Sequence, residues 1–70
     1  MKIHERIRAL REDFEPYMSQ TELGRRMNKT QRSVSRLENG EAHLQDIDII
    51  AYCKIFGVSA DYILGLSETR

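Results

Sequence analysis

Five cations stand within thirteen residues near the middle of this chain. Arg25, Arg26, Lys29, Arg32 and Arg36 lie in the window 24–36 with no acid among them, a charge of +5, while residues 1–23 carry −1 and residues 37–70 carry −4. A molecule of zero formal net charge therefore keeps all its excess positive charge in one place. Local field, not whole-molecule charge, acts on a polyanion at contact distances below a Debye length of about 8–10 Å. Gln31 and Ser35 stand among these cations. A guanidinium is a planar fork that donates two parallel hydrogen bonds, to a phosphate or to O6 and N7 of guanine, and a glutamine amide pairs similarly with adenine. The chemistry on offer is recognition through charge and hydrogen bonds.

Covalent chemistry has no support. Asp46 and Asp48 are two apart and do not share a helix face, which argues against a paired-carboxylate site. His4 and His43 belong to no metal-ligand spacing, and Cys53 reads as a small buried hydrophobe between Tyr52 and Lys54. There is no phosphate-cradling glycine loop. No catalytic residue, metal, cofactor or small-molecule ligand is expected, so the chain does not read as an enzyme. Seventy residues make one domain, burying only about 60% of the surface of the unfolded chain, with no room for an enclosed cleft. A hydrophobic share of 40% beside 31% charged residues is too apolar for disorder. No apolar run approaches the roughly 18 residues that span a bilayer, and the first residues lack a secretory apolar core, which points to the cytoplasm and away from a membrane.

Helices must position the polar set. Ile3, Ile7, Leu10 and Phe14 form the stripe of a first amphipathic helix, ending at or before Glu15 because Pro16 disfavours helical geometry in its predecessor. Glu15–Met18 is a connector with Tyr17 and Met18 as apolar anchors. Ser19-Gln20-Thr21-Glu22 fits a capping box and opens a second helix, with Leu23 and Met27 inward. Gly24 sits mid-helix at a cost of roughly 1 kcal/mol, which suggests a close crossing. Asn28 suits the left-handed stop, Thr30 caps a third helix, and Asn39-Gly40 ends it. Ile47, Ile50, Ala51, Cys53 and Phe56 mark a fourth helix closed by Gly57. Ser59 caps a last one to Leu64, with Asp61 in its first turn and Gly65 at its end. Residues 1–66 form the domain, and the tail 67–70 is expected to fray.

The third helix explains the window. On a 3.6-residue wheel, Val34 and Leu37 share a narrow face with Thr30, and Gln31, Arg32, Ser35 and Arg36 point outward. Two short helices joined by a tight turn, the second with a cationic polar front, have helix-turn-helix geometry. A helix of that kind fits the major groove of B-DNA. Arg32 and Arg36 have no facing acid four residues away, whereas Arg25, Arg26 and Lys29 could contact phosphate or form an ordinary solvated face.

The block SQTELGRRMNKTQRSVSRLENG, followed by IFGVSADYILGL, resembles the phage repressor and Cro-like helix-turn-helix regulators of the xenobiotic-response-element type, from Ile3 to about Leu66. The resemblance implies an all-α, five-helix, lambda-repressor-like DNA-binding domain with its helix-turn-helix at the second and third helices. It implies that Gln20 contacts backbone phosphate and braces Gln31, that Thr30, Gln31, Arg32 and Arg36 face bases or adjacent phosphates, and that Ser33 and Asn39 approach the backbone. It also implies an architectural ion pair between Arg11 and Glu38. The connector is longer than the usual tight turn, Gly24 stands for the commoner alanine, and Asn28 for the usual glycine.

The expected function is sequence-specific binding of double-stranded DNA as a transcriptional regulator, a repressor occupying an operator. One such domain covers few base pairs, so a homodimer on a palindromic site is expected, with third helices about 34 Å apart. The resemblance, and apolar groups in excess of what a short helix buries, place Tyr62, Ile63 or Leu66 at the self-contact. The alternative class is a protein-interaction module, such as an antitoxin-like partner, using the same fold.

Overall fold

Three hydroxyls start three of the five helices. Ser19, Thr30 and Ser59 each accept a hydrogen bond from the amide three residues on, those of Glu22, Ser33 and Tyr62. The other two starts use carboxylates: the Lys2 amide donates to Glu5 at 2.7 Å, and the Gln45 amide to Asp48 at 2.9 Å. A computed structural model describing all residues, Met1–Arg70, places α1 at Ile3–Glu12, α2 at Gln20–Met27, α3 at Gln31–Glu38, α4 at Asp46–Phe56 and α5 at Ala60–Leu64. There is no strand.

The stops are as local as the starts. Asn28 ends α2 in the left-handed conformation at φ 59°, leaving two residues before α3 begins. Gly24 is required by that turn and not by a helix crossing: a Cβ there would lie 2.7 Å from the Lys29 carbonyl oxygen, so even alanine forces the backbone to shift.

The core is built from Ile7, Leu10, Met18, Leu23, Val34, Leu37, Tyr52, Val58, Tyr62 and Ile63. Helix α3 packs on α2 and α1, α5 on α1 and α4, and α4 also touches α2. Phe14 lies beyond the end of α1 and meets Phe56 edge-on, with ring centroids 5.5 Å apart.

Several expectations need correction. Of the two connector residues only Met18 is an anchor; Tyr17 is exposed. Ile3, first in the stripe of α1, is also exposed. The Ser19 half of the capping box forms, but the Glu22 carboxylate turns away to Arg25 and Arg26. On α4, Ile47 and Ile50 face outward while Tyr52 and Asp48 are buried, and Cys53 is only half-buried. A helix with apolar residues on every side cannot choose its inner face by hydrophobicity. Here the Asp48 cap and the stacking of Tyr52 on Phe56, centroids 5.8 Å apart, set the face.

Residues 67–70 lie back over α1 and α5. Buried Arg6 donates to Glu68 at 2.8 Å, the Ser59 amide donates to the Arg70 carbonyl, and the Arg70 guanidinium reaches Asp13 at 3.4 Å. Arg6 and Arg70 both sit over the Tyr62 ring, at 4.8 and 5.5 Å from its centroid, so the ring gains two cation–π contacts.

Candidate nucleic-acid interface

A helix anchored by only Val34 and Leu37 needs something more to fix its rotation. That support is polar and buried. Glu38, at the end of α3, accepts from Arg11 Nε at 2.7 Å and from Arg11 Nη2 at 2.9 Å, and the remaining Arg11 nitrogen donates to the Met18 carbonyl at 3.1 Å. Both side chains are almost wholly buried. Bidentate geometry with each guanidinium nitrogen engaged is the arrangement in which attraction can offset the loss of hydration. The Glu38 hydrogen bonds hold the Arg11 guanidinium above its ordinary pKa, so Arg11 stays protonated.

The same carboxylate reaches toward the surface. Gln20 Nε2 donates to Glu38 at 3.0 Å, and Gln31 Nε2 donates to Gln20 Oε1 at 2.6 Å. A relay of four side chains thus runs from the core to the first residue of α3. Each amide is oriented by the bond beneath it, leaving the Gln31 oxygen and one N–H to face outward. Holding a side chain in place beforehand reduces the rotamer entropy lost on contact.

Gln31, Arg32, Arg36 and Asn39 are exposed along one side of α3 and its end. Thr30, also exposed, is occupied as a cap and donates to Ser33 Oγ at 3.0 Å. Ser35 is half-buried and accepts from Asn39 at 3.4 Å, which sets it back from the front. Ser33 is half-buried too. With Lys29, Arg36, His43, Gln45 and Asp48 it lines a shallow cleft of about 200 Å³ between α3 and the start of α4. His43 and Gln45 were absent from the sequence-based set; nothing local flags them, because folding alone brings the α3–α4 loop beside Lys29.

The cations are less free than their window suggested. Glu22, two residues outside it, binds Arg25 at 2.6 Å and Arg26 at 2.9 Å, and Arg26 also lies 5.7 Å over the Phe14 ring. Its carboxyl falls to about 2, chiefly through the Arg25 and then the Arg26 hydrogen bond. Lys29 pairs with buried Asp48 at 3.1 Å, and Arg36 lies a loose 3.9 Å from Glu41. Arg32 shares in none of these pairs and is exposed at the front of α3. The spacing of Glu22 to Arg25 and Arg26, three and four residues, is a helix-pair signal readable in the sequence.

No group of three or more histidine, cysteine, aspartate or glutamate side chains could hold a metal, and no helix is long and apolar enough to cross a membrane.

Comparison with known proteins agrees with this architecture. A helix-turn-helix family model matches residues 7–63. The P22 c2 repressor, solved in complex with synthetic operator 9T in the presence of Tl+, superposes with a TM-score of 0.84 at 27% identity, covering 96% of this chain and 98% of that one. The solution structure of the P22 c2 repressor DNA-binding domain gives 0.79 at 29% identity, covering 100% of this chain and 92% of that one. No curated protein matches the chain significantly. The fold is that of repressors and not of enzymes. From Ile7 to Ile63, the chain belongs to the helix-turn-helix family, as a regulator of the phage repressor and Cro-like kind.

Proposed function

We propose that the protein is a transcription regulator that binds double-stranded DNA by inserting α3 into the major groove. It acts as a repressor, and as a homodimer on a palindromic operator. The observation that carries this reading is the braced, outward side of α3: Gln31 held by Gln20, and Arg32 exposed without an acid partner. The structural likeness to a repressor bound to its operator, at 27% identity over nearly the whole chain, supports it.

Two contributions make up the binding. Cations reaching phosphates release counterions and give affinity that falls as salt rises, with a slope of about −0.9 per phosphate. Gln31 and Arg32 discriminate base edges at about 1–3 kcal/mol per bidentate contact. Gln20, Ser33, Arg36 and Asn39 approach the backbone beside them. Selection of bound duplexes from a random pool tests the whole reading. A split, inverted consensus with half-sites one helical turn apart is expected; an unsplit consensus removes the dimer, and no enrichment above background removes the DNA reading.

A further inference from the structure

Glu22 and Asp48 lie outside the five-cation window in sequence and against it in space. Together with Glu41 they engage four of its five cations: Arg25 and Arg26 through Glu22, Lys29 through Asp48, and Arg36 through Glu41. The pairs are graded. Asp48 is buried and fixed by the Gln45 amide, so Lys29 is held firmly. Glu22 is one-third exposed and shared by two arginines, and Glu41 is exposed and distant. Arg32, on the reading side, is left out.

We infer that Glu22, Asp48 and, more weakly, Glu41 are specificity-determining residues: internal carboxylates that compete with DNA phosphates for the window's cations and so hold down sequence-independent binding. This inference rests on the DNA-binding reading above. Binding to arbitrary DNA is almost wholly counterion release, in proportion to the cations that meet phosphates. A cation already neutralised by a carboxylate contributes less, and a carboxylate brought to the duplex is itself repelled. Base contacts by Gln31 and Arg32 are untouched by this competition. The quantity that improves is the ratio of specific to non-specific affinity, which decides occupancy among many competing sites. Exposed pairs are worth little in themselves, so the restraint on Arg25 and Arg26 is one that phosphates at a well-docked site can overcome. The depressed Glu22 carboxyl, at about 2, keeps that competitor charged at any pH where the protein would work.

The test compares the wild type, Glu22→Gln, Asp48→Asn and Asp61→Asn on a random-sequence duplex and on a selected duplex, by fluorescence anisotropy from about 50 to 200 mM salt. Asp61→Asn makes the same charge change on α5, at a residue in none of the ion pairs, and serves as the control. Glu22→Gln is expected to raise affinity for random duplex several-fold at the lowest salt, and to steepen the slope of log K against log salt by about 0.9 for each arginine released. The ratio of selected to random affinity falls. Asp48→Asn steepens the slope by about 0.9, with thermal melts showing that it remains folded. The Asp61→Asn line stays on the wild type. Wild-type binding with Glu22→Gln parallel to it, or an equal shift in Asp61→Asn, overturns the inference alone. A wild type with no salt-dependent duplex binding overturns the DNA reading as well.

Discussion

Helices α3 and α4 each bury one carboxylate, and they use it differently. Glu38 closes α3, gripped by Arg11 from the core side and by Gln20 from the surface side, so its charge ties the hydrophobic interior to the outward face. Asp48, in the first turn of α4, accepts from the amide of Gln45 just before the helix and meets a single cation, Lys29, that keeps 28% of its side chain in water. Helix α3 has too little apolar surface to fix its rotation, and the buried ion pair supplies what is missing. Helix α4 has apolar surface on all sides, and the carboxylate selects which of them turns inward. One buried charge orients a polar helix from its end, and the other orients an apolar helix from its start.

The contrast breaks most visibly at Glu38. Glu38→Ala leaves a guanidinium buried without a counter-charge and is expected to cost about 3–5 kcal/mol in urea unfolding, close to the whole stability of many small domains. Replacing both partners, Arg11→Met with Glu38→Leu, should cost less than the single change, because no charge is stranded. A loss below about 1 kcal/mol for Glu38→Ala would mean the pair does not hold α3. Asp48→Ala should cost only about 1–2 kcal/mol, the scale of a lost cap, since Lys29 can turn to solvent.

Tyr52 sharpens the comparison from the other side. Its hydroxyl is buried with no hydrogen-bond partner, and burial, then the charges of Glu38 and Asp48, push the phenol above its usual pKa. Tyr52→Phe removes an unsatisfied group at nearly constant shape, so the unfolding free energy measured in urea should hold or rise by up to about 1 kcal/mol. A loss of that size would reveal a bond the hydroxyl does make. The smallest effect belongs to Ile50→Ser on the outer side of α4, within about 0.5 kcal/mol for the isolated domain.

How much of this was legible in the sequence follows the distance over which each feature is decided. Ser19, Asn28 and Thr30 act within three or four residues, so the α2–turn–α3 unit could be read with its bounds. The Arg11–Glu38 pair spans 27 residues and was reached only through the family resemblance. The apolar set marked α4 without choosing its inner face, because Ile47 and Ile50 are as apolar as the residues that are buried, and a charged residue, Asp48, lies on the core side. The contacts of the tail were not legible because the partners of Glu68 and Arg70, Arg6 and Asp13, lie at the opposite end of the chain. At the interface, the outward Arg32 and Arg36 were evident from the wheel, but the pairing of Arg25 and Arg26 with Glu22 and of Lys29 with Asp48 was not.

The claim on which the rest depends is that the front of α3 reads bases. Wild type and Arg32→Ala should be titrated against the selected duplex and its single-base variants at one salt concentration. A loss of discrimination of about 1–3 kcal/mol confined to one or two base positions, with the urea midpoint unchanged, is the predicted result. An equal loss at every position would place Arg32 on the phosphates, and no loss would take α3 out of the groove.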